Sequence, residues 1–181
     1  METRTYNVYS FKEASEELKE KILDNYRYIN VDDSFWYTQD EIYNEITKDY
    51  GIVIDMNNVT FDLDRDSFVA FDTYNHGQEK NWTIPIYIKN VKKFCKKAKV
   101  RYKKDIDISI QHEHFVGSYI QNYVETDYIE AEEKFNDCLQ AMLEEILKEL
   151  KRQYNYLTDD EAVIETLICN EYMFNEQGKI D

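Results

Sequence analysis

Residues 51–71 read GIVIDMNNVTFDLDRDSFVAF, and this stretch decides the fold class. Its apolar side chains fall into short runs at 52–54, 59–63 and 68–71, and they follow the two-residue period of β-strands. Gly51 precedes the change of period and is placed where a helix commonly ends. The stretch therefore predicts several strands that follow directly after a helix.

On the N-terminal side of Gly51 the apolar spacing is that of helices. A first helix is predicted from a stripe of residues three and four positions apart: Phe11, Ala14, Leu18, Ile22, Tyr26 and Ile29. Ser10 with Glu13 forms a candidate capping box at its start. A second helix is predicted over residues 32–50, and a short strand over residues 4–9 precedes both helices.

On the C-terminal side strands come first and helices follow. The expected elements are a strand over 82–88, a short basic helix over 90–99, strands over 106–115 and 116–129, two helices between 130 and 168, and a short final strand. Pro85 favours an edge strand, and Thr158 with Glu161 is a second candidate capping box.

This order predicts an α+β fold with a mostly antiparallel sheet, flanked by N-terminal and C-terminal helices. No internal repeat, low-complexity tract or linker rich in Pro, Gly and Ser divides the chain. We therefore expect a single domain over residues 1–181.

The composition narrows the class of protein. The chain holds 37 acidic and 22 basic side chains, a net charge of −15, together with 16 tyrosines. The aromatic content excludes a disordered acidic tail, and the acidic excess argues against direct, sequence-specific DNA binding. The absence of a long apolar run predicts no membrane association. Cys95, Cys138 and Cys169 lack metal-ligand or redox spacing, so we expect reduced thiols in the cytoplasm.

The charge is unevenly distributed along the chain. Residues 89–104 read KNVKKFCKKAKVRYKK and hold nine basic and no acidic side chains, which leaves −24 for the rest of the chain. One interpretation is a solvated helix face that pairs with neighbouring carboxylates. The other is a patch that contacts a nucleic acid backbone or an acidic partner surface.

Motifs of catalysis are missing from the sequence. It contains no GxGxxG, GxxxxGK[ST], GxSxG, HExxH or CxxC pattern. With only four glycines in the chain, a glycine-rich loop that binds phosphate is not expected. We therefore expect a protein that is not an enzyme and that requires no cofactor.

Two clusters nevertheless have metal-ligating chemistry. Asp62, Asp64 and Asp66 share one face if they lie on a strand, as do His112 and His114. Solvated strand faces are the simpler interpretation of both clusters, so no metal site is predicted. The alternative is a metal-dependent enzyme that acts on nucleic acid.

Three segments resemble a known family: YSFKEASEELKEKILDNYRYINVDDSFW, FDLDRDSFVAF and YNYLTDDEAVIETLICNEYMFNEQGKI, which cover residues 9–36, 61–71 and 154–180. They are similar to small proteins of phages and mobile elements of Firmicutes, a family that includes a type II-A anti-CRISPR protein, an inhibitor of Cas9. The resemblance implies that the partner is Cas9 bound to guide RNA, in the host bacterial cytoplasm. An inhibitor of another host defence system that mimics DNA is the alternative.

The resemblance implies binding in the cleft that receives the duplex with the protospacer-adjacent motif, a motif that arginines read in the major groove. Carboxylates can pair with such arginines, and tyrosines nearby can act as anchors. The partner-binding residues expected on this basis are Asp62, Asp64, Asp66, Asp72, Asp32, Asp33, Glu125 and Asp127, with Tyr37 and Tyr74.

Overall fold

The structure is a computed structural model of the 181-residue chain. It describes residues 7–31, 36–54, 59–63, 67–71, 86–115 and 119–181, without the side chains of 36–38 and 112–120. The chain has the predicted α+β fold, and each strand pairing in the described part is antiparallel. It forms two compact units, one of Met1–Thr38 with Arg152–Asp181 and one of Gln39–Lys151. That the chain is one domain stays a prediction.

The elements follow the predicted order. The helices are α1 (Glu16–Tyr26), α2 (Trp36–Tyr50), α3 (Val91–Lys97), α4 (Glu132–Leu157) and α5 (Asp160–Cys169). The strands are β1 (Tyr9–Ser10), β2 (Ile52–Ile54), β3 (Val59–Asp62), β4 (Phe68–Phe71), β5 (Ile86–Ile88), β6 (Ile108–Phe115), β7 (Tyr119–Thr126) and β8 (Met173–Phe174). None of the helices in the described part of the chain has the length and apolar character needed to cross a bilayer.

The first unit is held together by α1 and α5. Their apolar faces form one buried cluster with the terminal strands: Phe11, Ala14, Leu18, Ile22, Val163, Leu167 and Phe174. Strand β1 pairs with β8, and the ring of Tyr26 lies 5.8 Å from that of Phe174. The stripe predicted for the first helix is thus the buried face of this unit.

Both predicted helix starts of this unit are wrong by a short distance. Ser10 and Glu13 do bond to each other, with 2.7 Å between the hydroxyl and the carboxylate, but residues 11–13 form a turn. Helix α1 begins later, and Ser15 caps it by accepting a hydrogen bond from the backbone N–H of Leu18. Asp159, one residue after the predicted Thr158, caps α5.

The second unit contains the other strands as three antiparallel pairs, β2 with β5, β3 with β4 and β6 with β7. Strand β4 lies beside β7, and β5 lies beside β6, so the six strands are neighbours in the order β3, β4, β7, β6, β5, β2. The hydrogen-bonded ladders stay within the pairs, whereas the sequence predicted a single, mostly antiparallel sheet.

The core of the second unit lies against one face of α4. This face repeats at three and four residues and is fully buried: Phe135, Leu139, Met142, Ile146 and Leu150. The ring of Phe135 stacks on that of Phe94 from α3, with 5.6 Å between the centroids. Burial of side chains of this size, at about 1.5–3 kcal/mol each, is the main stabilising term of the unit.

Gly51 ends α2 as predicted, for two physical reasons. Its φ angle of 76° lies in the left-handed region, which side chains with a Cβ rarely adopt. A Cβ at this position would also stand 2.8 Å from the carbonyl oxygen of Asn90. Any other residue here would therefore disturb the junction between α2 and the start of α3.

Candidate interaction surfaces

The exposed face of the β6–β7 hairpin is the first candidate surface. Along β7, Tyr123 and Glu125 are exposed and alternate with Asn122 and Val124, which are buried. The exposed fraction of Tyr123 is 41%, large for a side chain whose ring is mostly apolar. The two-residue period of the strand thus places a tyrosine beside carboxylates on the solvent side.

The pairing register adds the side chains of β6 to this face. Glu125 lies opposite Ser109 and Tyr123 opposite Gln111, and the next pair outward is Asp127 with Asp107. Neighbours across such a pair lie about 5 Å apart, and neighbours along the strand about 7 Å apart. We call the set Asp107, Ser109, Gln111, Tyr123, Glu125 and Asp127 the acidic hairpin face.

Two like charges lie opposite each other at the end of this face. Such a pair is unfavourable for folding, and Asp127 offsets part of the cost because its carboxylate accepts a hydrogen bond of 3.0 Å from the backbone N–H of Asp107. No basic residue lies in 105–133, which holds eight acidic residues. Between Lys104 and Lys134 the hairpin thus carries no lysine or arginine of its own.

Buried polar side chains fix the position of β7. The amide of Asn122 accepts from the N–H of Phe71 at 2.8 Å and donates to the C=O of Phe71 at 2.7 Å, so it joins β7 to β4 as a backbone group would. On α4, Asn136 accepts from the N–H of Val124 and Gln140 donates to the C=O of Asn122. A strand anchored in this way presents its exposed face in a fixed arrangement, as a binding site requires.

The second candidate surface is the basic segment at 89–104. The predicted basic helix forms as α3, which buries Phe94 and Cys95, and Ala98 beyond its end is buried too. Lys93 and Lys97 lie one turn apart and both reach Asp49, with N–O distances of 3.4 and 2.8 Å. These two lysines lower the pKa of the Asp49 carboxyl, Lys97 more strongly than Lys93.

Internal pairing uses only part of the basic charge. Besides Lys93 and Lys97, the ammonium group of Lys103 lies 3.3 Å from the ring centroid of Tyr128. The six other basic side chains are exposed and form no ion pair with any described residue: Lys89, Lys92, Lys96, Lys99, Arg101 and Lys104. We call these six residues the basic ridge.

The structure places only some of the predicted partner-binding residues. Glu125 and Asp127 belong to the acidic hairpin face, and Asp62 is exposed at the end of β3. Tyr37 lies in α2, but its side chain is outside the description. The remaining candidates are in segments outside the described residues: Asp32, Asp33, Asp64, Asp66, Asp72 and Tyr74.

Tyr123 and Asp107 are the members of the acidic hairpin face that the sequence interpretation missed. The signal was present, since Tyr123, Glu125 and Asp127 alternate with apolar or neutral residues. Asp107 joins them through the hairpin register, and the sequence alone does not specify that register.

Metal-ligating groups do not cluster in the described residues: no three His, Cys, Asp or Glu side chains there are placed to hold an ion. The backbone of His112 and His114 lies in β6, but their side chains are outside the description. Asp64 and Asp66 lie wholly outside the described residues, so the interpretation of both clusters stays a prediction.

The three cysteines are free thiols. Cys95 and Cys138 are buried, and burial raises the pKa of both thiols, that of Cys138 to about 11. Both are therefore protonated near neutral pH, and a protonated thiol is a poor nucleophile. Cys169 is exposed.

Comparison with protein-family models, with curated proteins and with solved structures found no match to this chain.

Proposed function

We propose that this protein is a non-catalytic inhibitor that binds Cas9 carrying its guide RNA, in the cytoplasm of a bacterial host, and blocks recognition of target DNA. The acidic hairpin face is the binding surface in this proposal. The observation that carries it is the placement of three carboxylates (Asp107, Glu125 and Asp127) and an exposed tyrosine on one side of an anchored hairpin.

The physical reasoning begins with charge. A groove built for nucleic acid is positively charged, and it gains affinity when a bound polyanion replaces small counterions. Carboxylates spaced about 5–7 Å apart on a rigid hairpin supply negative charge in a fixed row. Arginines that read the protospacer-adjacent motif can bind such carboxylates through two parallel hydrogen bonds.

Tyr123 supplies the apolar part of the interface. A tyrosine offers a large contact area with few rotatable bonds, and its hydroxyl can still form a hydrogen bond. Loss of water from this ring on binding would strengthen the charge pairs around it, because buried charge pairs are screened less than exposed ones.

The choice of Cas9 as the target rests on the sequence resemblance, whereas the hairpin supports only the wider class of cationic, DNA-binding partners. The test therefore measures inhibition of Cas9 itself and the salt dependence expected for binding to any cationic groove. Purified protein is titrated into Cas9 with guide RNA and a labelled target duplex, and the fraction of bound duplex is measured. We expect loss of duplex binding with the wild-type chain and a weaker effect at higher salt.

Neutral variants of the hairpin locate the surface. Asp107→Asn, Glu125→Gln and Asp127→Asn combined should raise the concentration for half-inhibition by at least about tenfold, since charged hydrogen bonds contribute about 1.5–3 kcal/mol each. The matched control removes three exposed carboxylates of the first unit, Glu20→Gln, Glu165→Gln and Glu176→Gln, and should leave inhibition unchanged.

Two results would contradict the proposal at different levels. If the wild-type chain left Cas9 binding intact, the target would be wrong, and pull-down from a host lysate would test another defence system. If both triple variants inhibited equally well, the hairpin would not be the surface, and the predicted row of Asp62, Asp64 and Asp66 would be replaced by Asn in the same assay.

A further inference from the structure

The basic ridge has no role in the proposed binding of a cationic partner. Its positive charges are not neutralised by carboxylates of the described residues. Asp49 already pairs with both Lys93 and Lys97, and Tyr128 covers Lys103. Exposed charges interact over about 8–10 Å in physiological salt. A ligand at the ridge therefore meets a local excess of positive charge, although the chain as a whole is acidic.

The helical part of the ridge forms a row. Lys92 and Lys96 are exposed, lie one turn apart on α3 and face away from the buried Phe94 and Cys95. Lys89 precedes the helix and Lys99 follows its end, so both lie outside α3. The helical spacing of Lys92 and Lys96 places their side chains about 5–6 Å apart.

Exposed aromatic rings are interleaved with these cations. Tyr102, between Arg101 and Lys103, has an exposed fraction of 45%, and Tyr87, two residues before Lys89, has one of 46%. Neither ring contributes to the core of the second unit. A row of cations accompanied by exposed aromatic rings is the arrangement with which proteins bind unpaired nucleotides, since the cations follow the phosphates and the rings stack on the bases.

A cleft beside the ridge extends the cationic surface. It has a volume of about 570 Å³ and is lined by three lysines, Lys48, Lys89 and Lys93, by the polar Asn44, Thr47 and Asn90, and by Gly51, Ile52 and Val53. A phosphate in the cleft would lie among ammonium groups and side-chain amides, which both donate hydrogen bonds to anions.

Lys99 adds a conformational observation. The end of α3 is closed by hydrogen bonds from the N–H groups of Lys99 and Val100 to the carbonyls of Lys96 and Cys95, a motif that usually places glycine at the Lys99 position. Lys99 has a φ angle of 57°, in the left-handed region that is unfavourable for a side chain with a Cβ. A cation thus occupies a position where glycine would be more stable.

We propose that the basic ridge, with Tyr87 and Tyr102, binds single-stranded nucleic acid without sequence specificity. Unpaired strands fit better than a duplex, because only unpaired bases leave their faces free to stack on isolated tyrosines. The acidic stretch 105–133 follows the ridge directly and would repel the second strand of a duplex. This inference goes beyond the proposed function and requires neither Cas9 nor the acidic hairpin face.

The test measures binding of the isolated protein to labelled 12-mers of RNA and of DNA with the same unstructured sequence, and to the corresponding duplex. We expect both single strands to bind and the duplex to bind more weakly. The logarithm of the binding constant should fall linearly with the logarithm of the salt concentration, with a slope of about −0.7 for each phosphate contacted. The comparison of RNA with DNA identifies the source of the strand, and binding of either supports the proposal.

Lysine variants test the contacts. Lys92→Gln combined with Lys96→Gln should weaken binding by about tenfold at low salt. The slope of log affinity against log salt concentration should become shallower by about 1.4, which corresponds to the loss of two phosphate contacts. The control Lys19→Gln with Lys21→Gln removes the same charge from α1, where both lysines pair with glutamates, and should change neither quantity. Tyr102→Phe should preserve binding, whereas Tyr102→Leu should weaken it severalfold, because only the first keeps an aromatic ring.

A variant that strengthens binding gives a sharper test. Asp49→Asn removes the carboxylate that pairs with Lys93 and Lys97, so the charge of both lysines is no longer offset and the affinity for single strands should rise severalfold at low salt. A purely structural function of the segment does not predict an increase in affinity.

The ends of α3 and α5 provide a matched pair of variants. Lys99→Gly should raise the melting temperature by about 2–4 °C and weaken strand binding. Glu171 ends α5 in the same left-handed conformation, at a φ angle of 54°, so Glu171→Gly should raise the melting temperature similarly and leave strand binding unchanged.

Three outcomes would overturn the proposal. They are no binding of either single strand at low salt, equal loss of affinity in the Lys92/Lys96 and Lys19/Lys21 variants, and displacement of the strand by poly-glutamate at an equal concentration of charge. The last result would identify a general surface for polyanions. Because none of these measurements contains Cas9, they are independent of the duplex competition assay.

Discussion

At the scale of single residues, two tyrosines of α2 undergo the same substitution with opposite expected results. Tyr43 is buried, and its hydroxyl has no hydrogen-bond partner among the described residues. The hydroxyl of Tyr50 donates to the Glu145 carboxylate at 2.9 Å. Tyr43→Phe should therefore raise the free energy of unfolding by about 1 kcal/mol, and Tyr50→Phe should lower it by about 1–2 kcal/mol.

Urea unfolding of the two variants and the wild type, followed by circular dichroism, measures both differences. Because each substitution removes one hydroxyl from the same helix, effects on helix propensity and ring packing largely cancel. Equal changes of the same sign would mean that the hydroxyl of Tyr43 finds a partner in solution.

The same tyrosines predict sensitivity to alkaline pH. Burial raises the pKa of both, with Asp40 adding to the shift of Tyr43 and the bond to Glu145 to that of Tyr50. Since the unfolded chain releases these protons at about pH 10, the stabilisation is complete below that pH and is lost as pH rises toward the higher values of the folded state. Unfolding free energies measured from about pH 8 to 11 should fall, and less steeply in the Tyr43→Phe, Tyr50→Phe double variant.

At the scale of elements, hydrophobic periodicity predicted the helices well, because burial of one face is their main source of stability. Their first residues were less predictable. Ser10 and Glu13 satisfy each other in a turn, so a capping pair can form without starting the helix, and Ser15 five residues on caps α1. Only part of the predicted capping pattern forms, since the backbone N–H and the hydroxyl of Ser10 both donate to Glu13, while Asp159 and not Thr158 accepts from the N–H of Glu161.

The way in which distant strands pair was not predictable from the sequence. Alternation of apolar and polar residues predicted the strands β2, β3 and β4, but not that β7 would lie beside β4 or that Asn122 would connect them. Pairing between distant strands depends on tertiary packing, which single-sequence periodicity does not contain. For the same reason Glu125 and Asp127 were predicted as an acidic group while Tyr123 and Asp107 were missed.

The bridge that Asn122 forms between β7 and β4 should contribute strongly to stability. Asn122→Leu keeps the number and branching of the side-chain heavy atoms but leaves the N–H and C=O of Phe71 without their partner, and each buried, unsatisfied group costs about 1–3 kcal/mol. We expect the free energy of unfolding to fall by about 2–4 kcal/mol. Gln121→Leu, one residue away on the exposed face, should change it by less than about 0.5 kcal/mol.

Differential scanning calorimetry of Asn122→Leu, Gln121→Leu and the wild type measures this difference. Equal melting temperatures for the two variants would show that the Asn122 bridge contributes little to joining β4 and β7.

At the scale of the whole molecule, opposite charges are segregated within the second unit. Residues 89–104 carry only basic charges, 105–133 only acidic ones, and the two segments meet where Lys103 covers the ring of Tyr128. The two proposed functions follow from this layout, since one surface fits a cationic groove and the other a phosphate chain. Intramolecular neutralisation would have favoured an interleaved arrangement, with more pairs like those of Asp49.

The segregated layout also predicts how salt acts on stability. A net charge of −15 repels itself in the folded state, and the ion pairs that the structure records are solvent-exposed, so each contributes little. Screening should therefore weaken repulsion more than attraction, and the melting temperature should rise by several degrees between about 10 and 300 mM NaCl. The hairpin variant Asp107→Asn, Glu125→Gln, Asp127→Asn removes three negative charges and should show a smaller rise. A melting temperature that falls with added salt would mean that attractive pairs dominate, and the acidic hairpin face would then be neutralised within the protein and poorly suited to a cationic partner.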